Sequence, residues 1–182
     1  MAALKWEDLP HYTYEDYKQW EGDWELIGGV AYAMAPAPVK IHQKLMGDIY
    51  SQIREKLLAC ENCEVLFEED WKVSEDTVFR PDVAVVCNDD NENFITKTPE
   101  VIFEILSPST ARRDEGLKFE MYAAEGVKYY VLVYPNELVA KVYRNGGEGF
   151  RKVGDFRRET VSFERLVCDF AFDFDALFSR FR

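Results

Sequence analysis

Histidine is nearly missing from this 182-residue chain, which has two, and basic residues are outnumbered, 22 Lys and Arg against 34 Asp and Glu. The net formal charge of −12 is the opposite of the basic footprint expected of a nucleic-acid binder. Neither histidine has partners for a Ser/His/Asp triad, so nucleophilic hydrolase chemistry finds no support. A glycine-rich phosphate loop is also missing. No apolar run approaches the roughly eighteen residues of a membrane span, and residues 1–10 lack the basic-then-apolar form of a signal peptide. A cytoplasmic protein with no membrane attachment is expected. Four cysteines are too few for a disulfide scaffold at this length. Cys60-Glu-Asn-Cys63 matches CxxC, but no second CxxC or nearby histidine completes a zinc site. Reduced, structural thiols are expected.

What is present is enough for a core. A hydrophobic content of 47% and an aromatic content of 15% exclude disorder, and the length predicts a single domain over residues 1–182. Charge is unevenly spread. Residues 61–92 carry eleven acidic side chains against Lys72 and Arg80, whereas residues 141–158 carry six basic ones against Glu148 and Asp155. The basic stretch is either a solvated hairpin or a seat for a phosphate backbone.

Local patterns place the elements. Thr13-Tyr-Glu-Asp16 predicts a capped helix start running to about Trp20. Residues 24–27 and 30–34 around Gly28-Gly29 predict a hairpin with a primed turn, closed by Pro36 and Pro38. Ile41, Leu45, Ile49, Ile53 and Leu57 recur every four positions and predict a long amphipathic helix over 41–58. Strands are predicted at 65–68, 71–73 and 78–86, the last with an edge or bulge at Pro81. A loop over 88–97 and a buried strand over 101–106 follow. The hydroxyls of residues 107–110 are expected to cap a helix ending near Gly126. A hairpin over 127–144, strands at 150–153 and 159–163, and an aromatic helix at 174–181 complete an α/β sandwich with a mixed central sheet. Five phenylalanines at 170, 172, 174, 178 and 181 either cap the core or line a homodimer contact.

The chemistry is expected between residues 80 and 122. Glu104 lies in the middle of an apolar strand, sharing a face with Ile102 and Leu106. A carboxylate there is costly to bury unless something pairs with it. Asp82 directly precedes another apolar run, 83–86. The two together suit a hard cation such as Mg²⁺, which takes one or two carboxylates and keeps several waters; the Ile105 carbonyl is a further candidate ligand. Asp114, Lys118 and Tyr122 share one helix face, where Lys118 could hold a water or a phosphate. Taken alone, Asp114–Lys118 reads as an ordinary surface ion pair. Glu25 is a further acidic candidate or a plain hairpin glutamate, and His42 is a phosphate contact or an exposed histidine.

These motifs run in the order Glu25-Leu-Ile-x-Gly29, His42-Gln43, Arg80-Pro-Asp-Val-Ala-Val-Val86, Glu104-Ile-Leu-Ser-Pro-Ser-Thr110, Asp114-x-x-x-Lys118 and Tyr122-x-x-x-Gly-Val-x-x-Tyr130. In that order, over residues 13–144, the chain resembles the Uma2 (Uma-two) family of bacterial proteins with the PD-(D/E)xK restriction-endonuclease-like fold. The resemblance implies a four-stranded mixed central sheet flanked by helices and a Mg²⁺-dependent nuclease site. It makes Asp82 the Asp of the PD motif, Glu104 the acidic residue of (D/E)xK, and Glu25 the additional N-terminal acid. Two positions after Glu104 stands Leu106 where the motif has lysine, so the resemblance moves the lysine's role to Lys118. Tyr129-Tyr130 replaces the family's Tyr-Trp. The expectation is a metal-dependent endonuclease acting on DNA. In it Asp82 and Glu104 bind Mg²⁺ or Mn²⁺, Glu25 assists, Lys118 positions water or phosphate, and His42, Asp114 and Tyr122 contact substrate. The rival expectations are an inactive nuclease fold that acts as a binding module, and paired carboxylates working as acid and base on another bond.

Overall fold

A computed structural model of the chain describes residues 5–34 and 39–182. Pro36 and Pro38, expected to close the first hairpin, lie outside the described residues. Helix α1 (Tyr14–Tyr17) is shorter than predicted, and its start is tied by the Thr13 N–H donating to the Asp16 carboxylate at 2.8 Å. Strands β1 (Trp24–Ile27) and β2 (Val30–Ala33) pair antiparallel around Gly28 and Gly29, whose φ values of 56° and 77° are those of a primed turn. The long helix is α2 (Lys40–Lys56), which buries Leu45, Ile49 and Ile53.

Strands β3 (Cys63–Phe67) and β4 (Trp71–Ser74) follow. The single strand predicted over 78–86 is two, β5 (Thr77–Phe79) and β6 (Val83–Cys87), which belong to different sheets. Pro81 explains the break: it has no N–H to give a ladder, and the chain changes sheet there. Strand β7 (Val101–Ile105) is buried throughout. The predicted helix after it is also two, α3 (Ala111–Glu115) and α4 (Leu117–Ala124), divided at Gly116. The hydroxyls of 107–110 do not cap it; Thr110 Oγ1 instead accepts from the Ser107 N–H at 3.2 Å. Strands β8 (Tyr129–Tyr134), β9 (Val139–Asn145), β10 (Phe150–Phe156) and β11 (Thr160–Phe163) come next. Strand β12 (Phe170–Asp173), not predicted, and helix α5 (Phe174–Phe178) end the order.

The central sheet has six strands in the order β10-β9-β8-β7-β6-β3, two more than the resemblance implied. Only β7 and β8 run parallel, joined by the α3–α4 crossover, so the sheet is mixed. Alternation along its strands splits the core. Val83, Val85, Phe103 and Ile105 face α2 and the C-terminal aromatics; Ala84, Val86, Ile102 and Leu106 face α4 and the smaller sheet β2-β1-β5-β4. Phe170, Phe172, Phe174 and Phe178 are buried in the first layer and Phe181 packs against it partly exposed. The chain's own core therefore absorbs the segment offered as a homodimer contact. No described helix is long and apolar enough to cross a membrane.

All four cysteines are joined, Cys60 to Cys168 and Cys63 to Cys87. This corrects the expectation of reduced thiols. The partners of the CxxC pair are distant in sequence but reach it at the end of β6 and in the β11–β12 connection.

Candidate active site

Two strand ends define the site. The β6–β7 register sets Val83 opposite Phe103, so one step further Asp82 faces Glu104. Asp82 Oδ2 accepts from the Ile105 N–H at 2.7 Å, and the Asp82 N–H donates to Glu104 Oε2 at 3.3 Å. Ile105 thus meets Asp82 through its amide N–H. His42, in the first turn of α2, brings Nε2 to 3.2 Å from the same Asp82 Oδ2. Its Nδ1 is buried without a hydrogen-bond partner among the described residues. Burial disfavours the imidazolium, but the Asp82 carboxylate outweighs that and raises the His42 pKa above its ordinary value.

Behind this pair lies a buried ionic cluster. Lys118 Nζ sits 2.9 Å from Glu25 Oε1, 3.0 Å from Glu104 Oε1 and 3.4 Å from Asp114 Oδ1. Glu25, Glu104, Asp114 and Lys118 are each no more than 3% exposed. Asp114–Lys118 is therefore no surface pair, and Glu25 no exposed hairpin residue. Glu25 arrives from β1 on the face it shares with Ile27, accepts the Arg80 N–H at 2.9 Å, and lies 3.5 Å from the Arg113 guanidinium. Tyr122 donates to Glu104 Oε1 at 2.8 Å, and Tyr130 donates to the Asp114 backbone carbonyl at 2.9 Å. Asp114 and Tyr122 are thus buried against Lys118 and Glu104.

The electrostatics follow from the count. Glu25, Asp82, Glu104 and Asp114 meet two fixed cations, Lys118 and Arg113. Burial would pull the Lys118 pKa down, but Glu104, Glu25 and Asp114 outweigh it and hold it well above lysine's ordinary value. Glu104 moves the same way: burial raises it, Lys118 opposes, and Asp82, Asp114 and Glu25 add to the rise. In an isolated ion pair the carboxylate would fall as the amine rose. Here burial is the largest cause for Glu104, and three carboxylates sharing one ammonium add to it and lift Lys118, so both rise; the cluster has room for further positive charge.

Asp82 opens onto a cavity of about 490 Å³, whose walls include Asp23, His42, Arg80, Ser107 and Asn136. The Arg80 guanidinium is committed there to Asp23 and to Asp70, the latter at 3.2 Å. Arg113 and Tyr130 were not singled out in the sequence. Arg113 is one position from Asp114 in a charged helix, which marks it no further. Tyr130 stands within one of the motifs of the resemblance, which gives it no chemical role.

Comparison with known proteins bears on the family and the fold. The family model Uma2, described as "Putative restriction endonuclease", matches residues 14–173. An uncharacterized protein of Synechocystis, slr1290, is 30% identical, with 78% of each chain covered. A crystal structure titled as a putative nuclease belonging to DUF820, from Anabaena variabilis, superposes with a TM-score of 0.74. That likeness covers 92% of this chain and 97% of the other at 18% identity, which establishes the shared fold.

Proposed function

This chain belongs to the Uma2 family, and we propose that it is an endonuclease that uses a divalent metal ion to hydrolyse phosphodiester bonds in DNA. The observation that carries the reading is the Asp82–Glu104 pair, set across adjacent central strands with Asp82 on the cavity wall and surplus carboxylates behind. The donors are hard oxygens and few, which suits Mg²⁺ or Mn²⁺ with water completing the shell. Asp82 and Glu104 would hold the ion, Asp82 through Oδ1, because Oδ2 serves Ile105 and His42. A bound ion of this kind activates water and offsets charge developing on phosphorus. The other residues hold these two in place. Tyr122 and Lys118 fix the Glu104 rotamer, Glu25 and Asp114 fix Lys118, and His42 orients Asp82 while facing the cavity that would take the phosphate.

Supercoiled plasmid and single-stranded DNA incubated with Mn²⁺, Mg²⁺ or EDTA test this, with Glu104→Ala alongside. Cleavage that requires metal and vanishes in the variant is expected. Cleavage that survives in Glu104→Ala would place the activity elsewhere. One observation favours a second reading, a nuclease fold retained as an interaction module. Lys118 is 3% exposed and has three carboxylate partners, so it does not reach a substrate phosphate from where it stands. Metal binding without turnover on any of these DNAs would select that reading.

A further inference from the structure

Every cysteine of the chain converges on one place, far from Asp82 in the fold. Cys60 and Cys63 flank the turn between α2 and β3; Cys87 ends β6, and Cys168 lies between β11 and β12. The Sγ atoms of Cys60, Cys63 and Cys168 all lie within 4.8 Å of one another, and those of Cys63 and Cys87 within 4.8 Å of each other and of a Glu100 carboxylate oxygen. Asp82 stands at the other end of β6, about 17 Å away at the usual rise per strand residue.

We propose that the reduced chain binds one Zn²⁺ through Cys60, Cys63, Cys87 and Cys168, and that the two disulfides are the oxidised form of this site. A tetrahedral zinc thiolate centre has Zn–S bonds of about 2.3 Å, which sets its sulfurs about 3.8 Å apart. Three sulfurs lie within 4.8 Å of one another, so that opening the Cys60–Cys168 bond lets them spread to that spacing, and Cys63 links them to the fourth. The CxxC turn supplies the usual two-ligand knuckle, and it is held against the third ligand by the backbone. Cys63 is directly opposite Cys87 in the β3–β6 register, and the Asn88 N–H donates to the Asn62 carbonyl at 2.8 Å. The fourth ligand's segment is also anchored. Glu100 Oε2 accepts the Val167 N–H at 2.9 Å and lies 3.5 Å from Cys87 Sγ, while its other oxygen pairs with Lys128. Cys87 is buried and the other three are half-buried, as in a closed structural site. Disulfides persist where the surroundings are oxidising. In a reducing compartment the same geometry leaves the Cys63 thiol within 4.8 Å of each of the other three.

Opening both disulfides takes four electrons, supplied in the test by two equivalents of a water-soluble phosphine, while two waters give the four thiol protons and the oxygens of the two phosphine oxides. Zinc binding then displaces four thiol protons, so affinity should weaken as pH falls. The chain is purified with phosphine, equilibrated with Zn²⁺, desalted, and its metal measured by mass spectrometry. One zinc per chain is expected, falling to background in Cys60→Ser and Cys168→Ser and persisting in Asp82→Ala. Because the serine variants could misfold, Co²⁺ is added to the reduced wild-type chain as a second readout. Thiolate-to-cobalt charge-transfer bands are expected. A folded, fully reduced chain that takes up no zinc, or zinc that stays in the cysteine variants, or cobalt without thiolate bands, would overturn the proposal.

Discussion

Lys118 is the residue on which the buried cluster depends. Among the described residues, its ammonium is the only group in contact with Glu25, Glu104 and Asp114 together. Removing one partner of a buried ionic group leaves charge uncompensated and costs about 3–5 kcal/mol. Lys118→Met keeps the bulk and should lose stability in that range at neutral pH by urea denaturation. The loss should shrink in acid. Burial raises both Glu104 and Asp114 above their ordinary values of 4.5 and 3.8. The folded state therefore keeps protons that the unfolded chain releases, and stability falls as pH climbs from the ordinary values toward the raised ones. Without the ammonium that fall should steepen. Equal loss at about pH 5 and about pH 8 would show that the carboxylates do not depend on Lys118. The wild-type lysine works in the opposite range: its stabilisation is complete below its ordinary 10.5 and is lost as pH rises through the raised folded value. At this scale the sequence was informative about Glu104, since a carboxylate between apolar strand neighbours needs a partner. It could not show that one lysine serves three acids, because Glu25 reaches Lys118 across a separation that no helical or strand period spans.

Between elements, the break at Gly116 matters more than the helices it separates. Asp114 lies in the last turn of α3 and Lys118 in the first turn of α4, so the bend at Gly116 sets their mutual position. A Cβ at Gly116 would meet the Arg112 carbonyl oxygen at 2.9 Å, and backbone cannot swing aside as a long side chain would. Gly116→Ala should therefore destabilise by about 1–3 kcal/mol, as overpacking does, and slow cleavage more than the loss of folded protein explains. Denaturation and single-turnover rates on the same preparation check this; wild-type stability would mean that the bend has slack. The sequence reads as one helix here because Ala111, Asp114, Lys118 and Tyr122 keep a helical period through the glycine. The same averaging hid the β5–β6 division. Val78, Phe79 and residues 83–86 are all apolar, and the sheet each joins is decided by partners elsewhere in the chain. Cysteine pairing is a third case, since spacing alone never fixes which thiols meet.

Across the whole molecule, the uneven charge gives the proposed nuclease a direction of approach. The acidic stretch contributes Glu68 and Asp82 to the cavity wall, and a net charge of −12 repels DNA at long range. The basic stretch forms β9, β10 and the residues just past them. Its far end lies beside the cavity: the Arg157 guanidinium donates to the Glu137 carbonyl, in the turn that holds the cavity-lining Asn136. Arg157 and Arg158 are both exposed and sit away from the buried carboxylates. On the nuclease reading they would hold backbone phosphates while Asp82 and Glu104 face the scissile one. Each phosphate contact contributes about 0.9 to the slope of log binding constant against log salt. The double variant Arg157→Glu, Arg158→Glu should lower that slope by roughly two and raise KM well beyond any change in kcat, with folding intact because neither arginine is buried. If the slope does not change while cleavage persists, DNA enters from another face, and the basic hairpin is a solvated surface whose charges pair among themselves, as Arg151 does with Glu148 and Lys152 with Asp155.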